Sequence, residues 1–147
     1  MKEFDFFWET VDKCDWDKQG DDDAVLAPLI EFLSELSDDD IFIFDDMMSE
    51  LLYRLDTKNH ALDCEKTQGI FSEDAFLYSR CVALVNGPEY YTKVLNRRIK
   101  RLWNMEFESI LYVPSAAWAK KHGKDEADYP HLAPLSYETG SNEDGWK

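Results

Sequence analysis

The stretch Ser72-Glu73-Asp74-Ala75-Phe76-Leu77-Tyr78-Ser79-Arg80-Cys81-Val82-Ala83-Leu84-Val85-Asn86-Gly87-Pro88 carries the decisive fold signal of this chain. Ser72 suits a helix N-cap, where its hydroxyl accepts a backbone N–H. Glu73 and Asp74 place negative charge in the first turn, which the helix dipole favours. From Ala75 to Val85 the segment is apolar on nearly every side, apart from Ser79 and Arg80. Such a helix belongs in the middle of a core. Asn86-Gly87 ends it, and Pro88 at a first-turn position opens the next.

Working outward, other segments read as the helices that would surround this one. Phe4, Phe7, Trp8 and Val11 form one stripe of a helix predicted from about Phe4 to Cys14. Asp15–Asp23 breaks the pattern with five aspartates and a glycine, and reads as a polar loop. Val25, Leu26, Leu29, Phe32, Leu33 and Leu36 mark a second helix from about Asp22, with Pro28 in its early turns. Ser37-Asp38-Asp39-Asp40 caps a third, whose face is Ile41, Phe44, Met48, Leu51, Leu52 and Leu55.

Thr57–Gly69 is ambiguous, with room for a short helix ending near Gly69. After the Glu89–Leu95 helix, the period of Ile99, Leu102, Trp103, Phe107 and Ile110 predicts continued or restarted helix over Arg97–Ile110. Pro114 opens a last short helix that ends in Lys120-Lys121-His122 and Gly123. No strand-like alternation of any length occurs. The expectation is an all-α fold, a single compact domain of about six to eight helices. The helical domain is placed at residues 1–125. Residues 126–147 read as an irregular polar tail, lying on the surface or partly disordered.

The 14% aromatic content argues for a folded body rather than disorder. The net charge is −15 and unevenly spread. Residues 1–50 carry 17 acidic and 3 basic side chains, a net of −14, whereas residues 51–100 carry a net of +2. A field of that sign repels nucleic acid and anionic lipid and attracts basic partners. The three cysteines, Cys14, Cys64 and Cys81, form no CxxC pair and are too few for a disulfide scaffold. The opening residues lack the apolar region of a signal peptide, and the longest apolar runs fall far short of the roughly 20 residues of a membrane span. A cytoplasmic protein with reduced thiols is expected.

Three landmarks occur in order: Phe6-Phe7-Trp8-Glu9-Thr10-Val11, the Ser72–Arg80 segment running on to Asn86-Gly87, and Met105-Glu106-Phe107-Glu108-Ser109-Ile110-Leu111-Tyr112-Val113-Pro114. Together they resemble the bacterial family catalogued as domain of unknown function 4240, over roughly residues 4–125. Thr57–Gly69 departs most from that pattern, since the family usually has a more apolar, tryptophan-bearing helix there. The resemblance implies a helical fold and a bacterial source. The family has no established catalytic residues, so it implies no active site.

Several constellations bear on chemistry. Asp15, Asp17, Gln19, Gly20 and Asp23 fall at positions 1, 3, 5, 6 and 9 of an EF-hand loop, but position 12 is Leu26 where calcium needs glutamate. His60, His122 and His131 are far apart, with no ligand spacing to a cysteine or carboxylate. No nucleophile has a base at motif spacing, and no glycine-rich phosphate loop is present, so no enzyme activity, cofactor or metal is expected. Lys93, Arg97, Arg98, Lys100 and Arg101, near Tyr91 and Trp103, form the one basic cluster. Its expected partners are the acids of the N-terminal half, within the chain or across a homo-oligomer, rather than nucleic acid. Glu73, Asp74, Tyr78 and Arg80 are a candidate small-molecule pocket. The arginine, set in an apolar helix, calls for a carboxylate partner.

The leading expectation is an acidic protein-binding module, of the kind an immunity protein presents to a basic bacterial toxin. The loop residues Asp15, Trp16, Asp17, Asp21, Asp22 and Asp23 are the preferred contact, with Asp38, Asp39, Asp40, Asp45 and Asp46 secondary. The alternative is a small-molecule-binding regulatory helical domain built around Arg80.

Overall fold

The computed structural model describes residues 2–147. Among them the secondary structure is helical without strands. Seven α-helices follow in order: α1 Lys2–Val11, α2 Asp22–Ser34, α3 Asp38–Arg54, α4 Lys58–Gln68, α5 Glu73–Val85, α6 Pro88–Leu95 and α7 Val113–His122. Short 3₁₀ turns fill several connections. No described helix is long and apolar enough to cross a membrane. The chain sorts into two units.

The first unit comprises Met1–Met47 and Ser109–Pro134. Here α2 packs chiefly along α7, with α1 beside α2. Phe7 stacks on Phe44 with ring centroids 4.8 Å apart, among buried Val11, Leu26, Leu29, Ile41 and Trp118. The predicted caps are present. Ser37 Oγ accepts from Asp40 N at 3.1 Å, and Gly123 closes α7 in the left-handed region, at φ 61°. Pro28 stands inside α2, on its exposed side. Residues 126–134 pack back within this unit: the Tyr129 hydroxyl donates to Asp45, and His131 stacks on Phe42 at 4.5 Å.

The second unit comprises Met48–Glu108 and Leu135–Lys147. At its centre lies α5, where every residue from Phe76 to Val85 except Tyr78 is buried. It is capped by Ser72, whose Oγ accepts from Ala75 N at 3.2 Å. Beside α5 lie α6 and the 3₁₀ turn Arg101–Asn104, which also meets α4.

Two readings change here. Thr57–Gly69, ambiguous in the sequence, is the helix α4. Thr57 caps its start and left-handed Gly69 its end. Its low overall hydrophobicity hid the period, because only His60, Ala61, Asp63 and Cys64 face inward. Conversely, Arg97–Ile110 is not α-helical. Asn96 N bonds to Thr92 O, Arg98 N bonds back to Lys93 O at 2.8 Å, and Arg97 sits at φ 61°. This left-handed closure satisfies the last carbonyls of α6 and ends it. Beyond it a 3₁₀ turn, in which Trp103 N donates to Lys100 O and Met105 N to Leu102 O, leads to backbone tied to α5: Phe107 N donates to Tyr78 O at 3.0 Å, and Ser79 Oγ donates to Met105 O at 2.6 Å. The periodic side chains Leu102, Trp103, Phe107 and Ile110 are buried as expected, but 3₁₀ and extended backbone buries them. Periodicity reports which side chains turn inward, not the backbone that carries them.

Candidate functional site

All eleven residues of the expected acidic contact lie in the first unit. Within the loop, Asp15 and Asp21 work locally. Asp15 accepts from Asp17 N at 3.1 Å and caps the 3₁₀ turn Trp16–Lys18. Asp21 accepts from Ala24 N at 3.2 Å and caps α2. The loop is tied to the helix by Asp15 N donating to Val25 O at 2.9 Å. Asp17 and Asp23 are exposed, and Trp16 presents an indole that is 41% exposed. Asp22 is half-buried, and partial desolvation, then the charges of Asp23 and Asp21, raise its pKa.

The secondary residues divide. Asp39 is exposed and Asp40 half-buried. Asp38 takes Lys121 at 2.8 Å and His122 at 2.9 Å. Those hydrogen bonds hold its carboxyl below the usual range. Asp45 is buried and receives the Tyr129 hydroxyl at 2.8 Å. Burial, followed by the charge of Asp45, drives that phenol's pKa well up. Asp46 pairs with His131 at 2.7 Å. So Asp38, Asp45 and Asp46 are engaged by the chain's own α7 and the segment after it, while Asp17 and Asp23 of the loop, and Asp39 of α3, remain exposed. Leu26, at the position where a calcium loop would need glutamate, is buried in the core. Among the described residues no three His, Cys, Asp or Glu side chains gather as a metal site.

In the second unit Arg80 is fully buried. Its Nη1 donates to Leu52 O at 2.9 Å, and its Nη2 donates to Tyr137 O and Thr139 Oγ1, both at 3.1 Å. Its guanidinium lies 4.5 Å over the Phe76 ring, and its Nε has no hydrogen-bond partner. The expected carboxylate partner is therefore replaced by carbonyls and a hydroxyl. Burial lowers the arginine's pKa, opposed foremost by the charge of nearby Asp56. Glu73 and Asp74 are exposed and Tyr78 is half-buried. Glu73 contributes its carbonyl, which accepts from Thr139 Oγ1 at 2.9 Å. Two clefts of this unit are lined by other residues. One of about 450 Å³ includes Thr92, Lys93, Asn96 and Arg98. One of about 230 Å³ includes Lys58, Leu62, Glu65, Phe71 and Trp146.

Sequence reasoning missed Asp56. It is fully buried and accepts from Gly140 N at 3.0 Å, Asn142 N at 3.1 Å and Trp146 Nε1 at 2.8 Å. Its donors lie 84 to 90 residues away, so no local spacing could have marked it. It also missed the real partner of the basic cluster. Arg97 and Lys100 pair with Asp63 of the same unit, not with the N-terminal acids. Tyr91 and Trp103 are buried and offer no stacking platform for bases. Burial pushes the Cys14 and Cys64 thiols up to about 11 and Cys81 up to about 12, so none is an activated nucleophile.

These features define an all-α protein with an acidic, tryptophan-bearing loop on one unit and two buried charged residues, Asp56 and Arg80, in the other, each met by residues 137–146 of the same chain. The chain belongs to the family described as "Protein of unknown function (DUF4240)", whose model matches residues 1–120. No curated protein and no solved structure matches it.

Proposed function

We propose that this protein is a binding module for a basic protein, working through the acidic loop of its first unit. The observation that carries the reading is the concentration of 17 acidic side chains in residues 1–50, with Asp17, Asp23 and Asp39 left exposed and Trp16 presenting a partly exposed indole. Long-range attraction of this kind raises association rates, and an exposed indole among charges is a common anchor once the surfaces meet. An immunity protein that neutralises a cationic toxin is the partner relationship this charge pattern fits best. The alternative, a small-molecule regulatory domain built on Arg80, is less favoured, because both Nη groups of that arginine are taken up within the chain.

The test is affinity capture with the full chain from its native host, followed by association kinetics with the captured protein across ionic strength. A basic stoichiometric partner is expected. Its on-rate should fall steeply with salt, and again by about tenfold in the Asp17→Asn, Asp23→Asn, Asp39→Asn triple variant. Recovery of no stoichiometric protein partner, or an on-rate indifferent to both changes, refutes the reading.

A further inference from the structure

Asp56 and Arg80 are fully buried charges in the second unit, and each is met by the C-terminal segment rather than by the other. Tyr137 O and Thr139 Oγ1 receive the Arg80 guanidinium. Gly140 N, Asn142 N and the Trp146 indole donate to Asp56. Further polar ties are Thr139 Oγ1 to Glu73 O at 2.9 Å and Asn142 Nδ2 to Tyr53 O at 3.1 Å. The apolar anchor is Trp146, edge-on to Phe71 and Phe76 at 6.3 Å each.

An apolar seam would fix such a segment without desolvating two charges, and swaps of that kind often leave a protein as stable or more so. A cation and an anion facing backbone groups do something a seam does not: they read direction and register. Carbonyl and hydroxyl must come first, and N–H groups with an indole next. Within this arrangement Arg80 Nε is buried without a hydrogen-bond partner. Asp56 and Arg80 lie inside the family-matched residues 1–120, whereas the segment that covers them lies beyond.

We propose that Asp56 and Arg80 form a recognition site for a polypeptide turn, filled in cis by residues 137–146 and open to an equivalent segment in trans. The ligand class is a peptide that presents a carbonyl and hydroxyl to the arginine, then a Gly-x-Asn turn and a tryptophan to the aspartate. The inference concerns the second unit only and does not rest on the acidic-loop reading.

Two measurements on the full chain test it. In native-state hydrogen exchange, the Gly140 and Asn142 amides should open sub-globally, exchanging about a hundredfold faster than the buried amides of α5. In anisotropy titrations, a dye-labelled synthetic peptide of residues 135–147 is added to wild type and to Trp146→Ala. The variant, its own segment loosened, should bind the peptide at least about tenfold more tightly than wild type, where the site is occupied. If Gly140 and Asn142 exchange only with α5, the segment is a fixed part of the fold and the proposal fails. It fails equally if Trp146→Ala keeps its native circular dichroism yet binds the peptide no better than wild type.

Discussion

Arg97 grips the buried carboxylate of Asp63 at both oxygens, 2.8 Å each, from a left-handed backbone with φ 61°. The residue that ends α6 thereby fastens that end to α4. Non-glycine residues seldom adopt this conformation without support, and the two-point ion pair supplies it here.

Arg97→Gly keeps the backbone relaxed and loses the ion pair, whereas Arg97→Ala loses the pair and keeps the strain. Urea denaturation at pH 7 should rank wild type above Arg97→Gly, and Arg97→Gly above Arg97→Ala. The hydrogen bonds from Arg97, more than any other influence, hold the Asp63 carboxyl below its ordinary range. Its contribution is therefore complete above the usual carboxylate pKa and disappears as pH falls through the lowered folded value. The gap between wild type and Arg97→Gly should close in strong acid.

His60 gives a second pH dependence, at higher pH. Its Nε2 lies 3.0 Å from Val94 O, which can only accept, so Nε2 carries the proton. Nδ1, 2.6 Å from Thr57 Oγ1, is then the acceptor of the hydroxyl proton. Burial is the main cause lowering this histidine's pKa, so the fold favours the neutral ring. Stability should be full above about pH 6.5, the unfolded value, and fall as pH drops toward the lowered folded value. Denaturation midpoints at pH 7.5 and 5.5 check this, and His60→Gln should flatten that part of the profile.

Tyr129→Phe removes the hydroxyl that serves buried Asp45. Loss of a hydrogen bond to a charged acceptor of this kind costs about 1.5–3 kcal/mol. Chemical denaturation should record a drop in that range, with helix content unchanged. A drop below about 0.5 kcal/mol would mean that water replaces the phenol without penalty.

Phe44→Ala should be the most damaging of the substitutions considered. It opens a cavity beneath the Phe7 stack, in a core where both rings are fully buried. Truncation of a buried phenylalanine costs about 3–5 kcal/mol. A midpoint shift equivalent to less than about 1 kcal/mol would contradict the packing described.

The raised thiols predict slow chemistry. At pH 8 the native chain should react with a disulfide reagent far more slowly than the urea-unfolded chain, with Cys81, the most buried, reacting last.

Much of this was local and therefore readable in the sequence. The caps at Ser37 and Ser72, the stop and restart at Gly87-Pro88 and the Gly123 terminus each involve groups within a few residues of one another. The run from Ala75 to Val85, apolar apart from Ser79 and Arg80, announced a central helix by its composition. The exposed loop aspartates were legible for the same reason, as polar residues between two periodic stretches. What the tertiary structure alone decided is how the buried charges are satisfied. Asp56 depends on Trp146 and Gly140, Arg80 on Tyr137 and Thr139, and Asp63 on Arg97. The same holds for Met105 and Phe107, whose backbone groups are held by bonds to α5. A buried ionised group must find partners wherever folding brings them, and residues 34 to 90 positions away leave no periodic trace beside it.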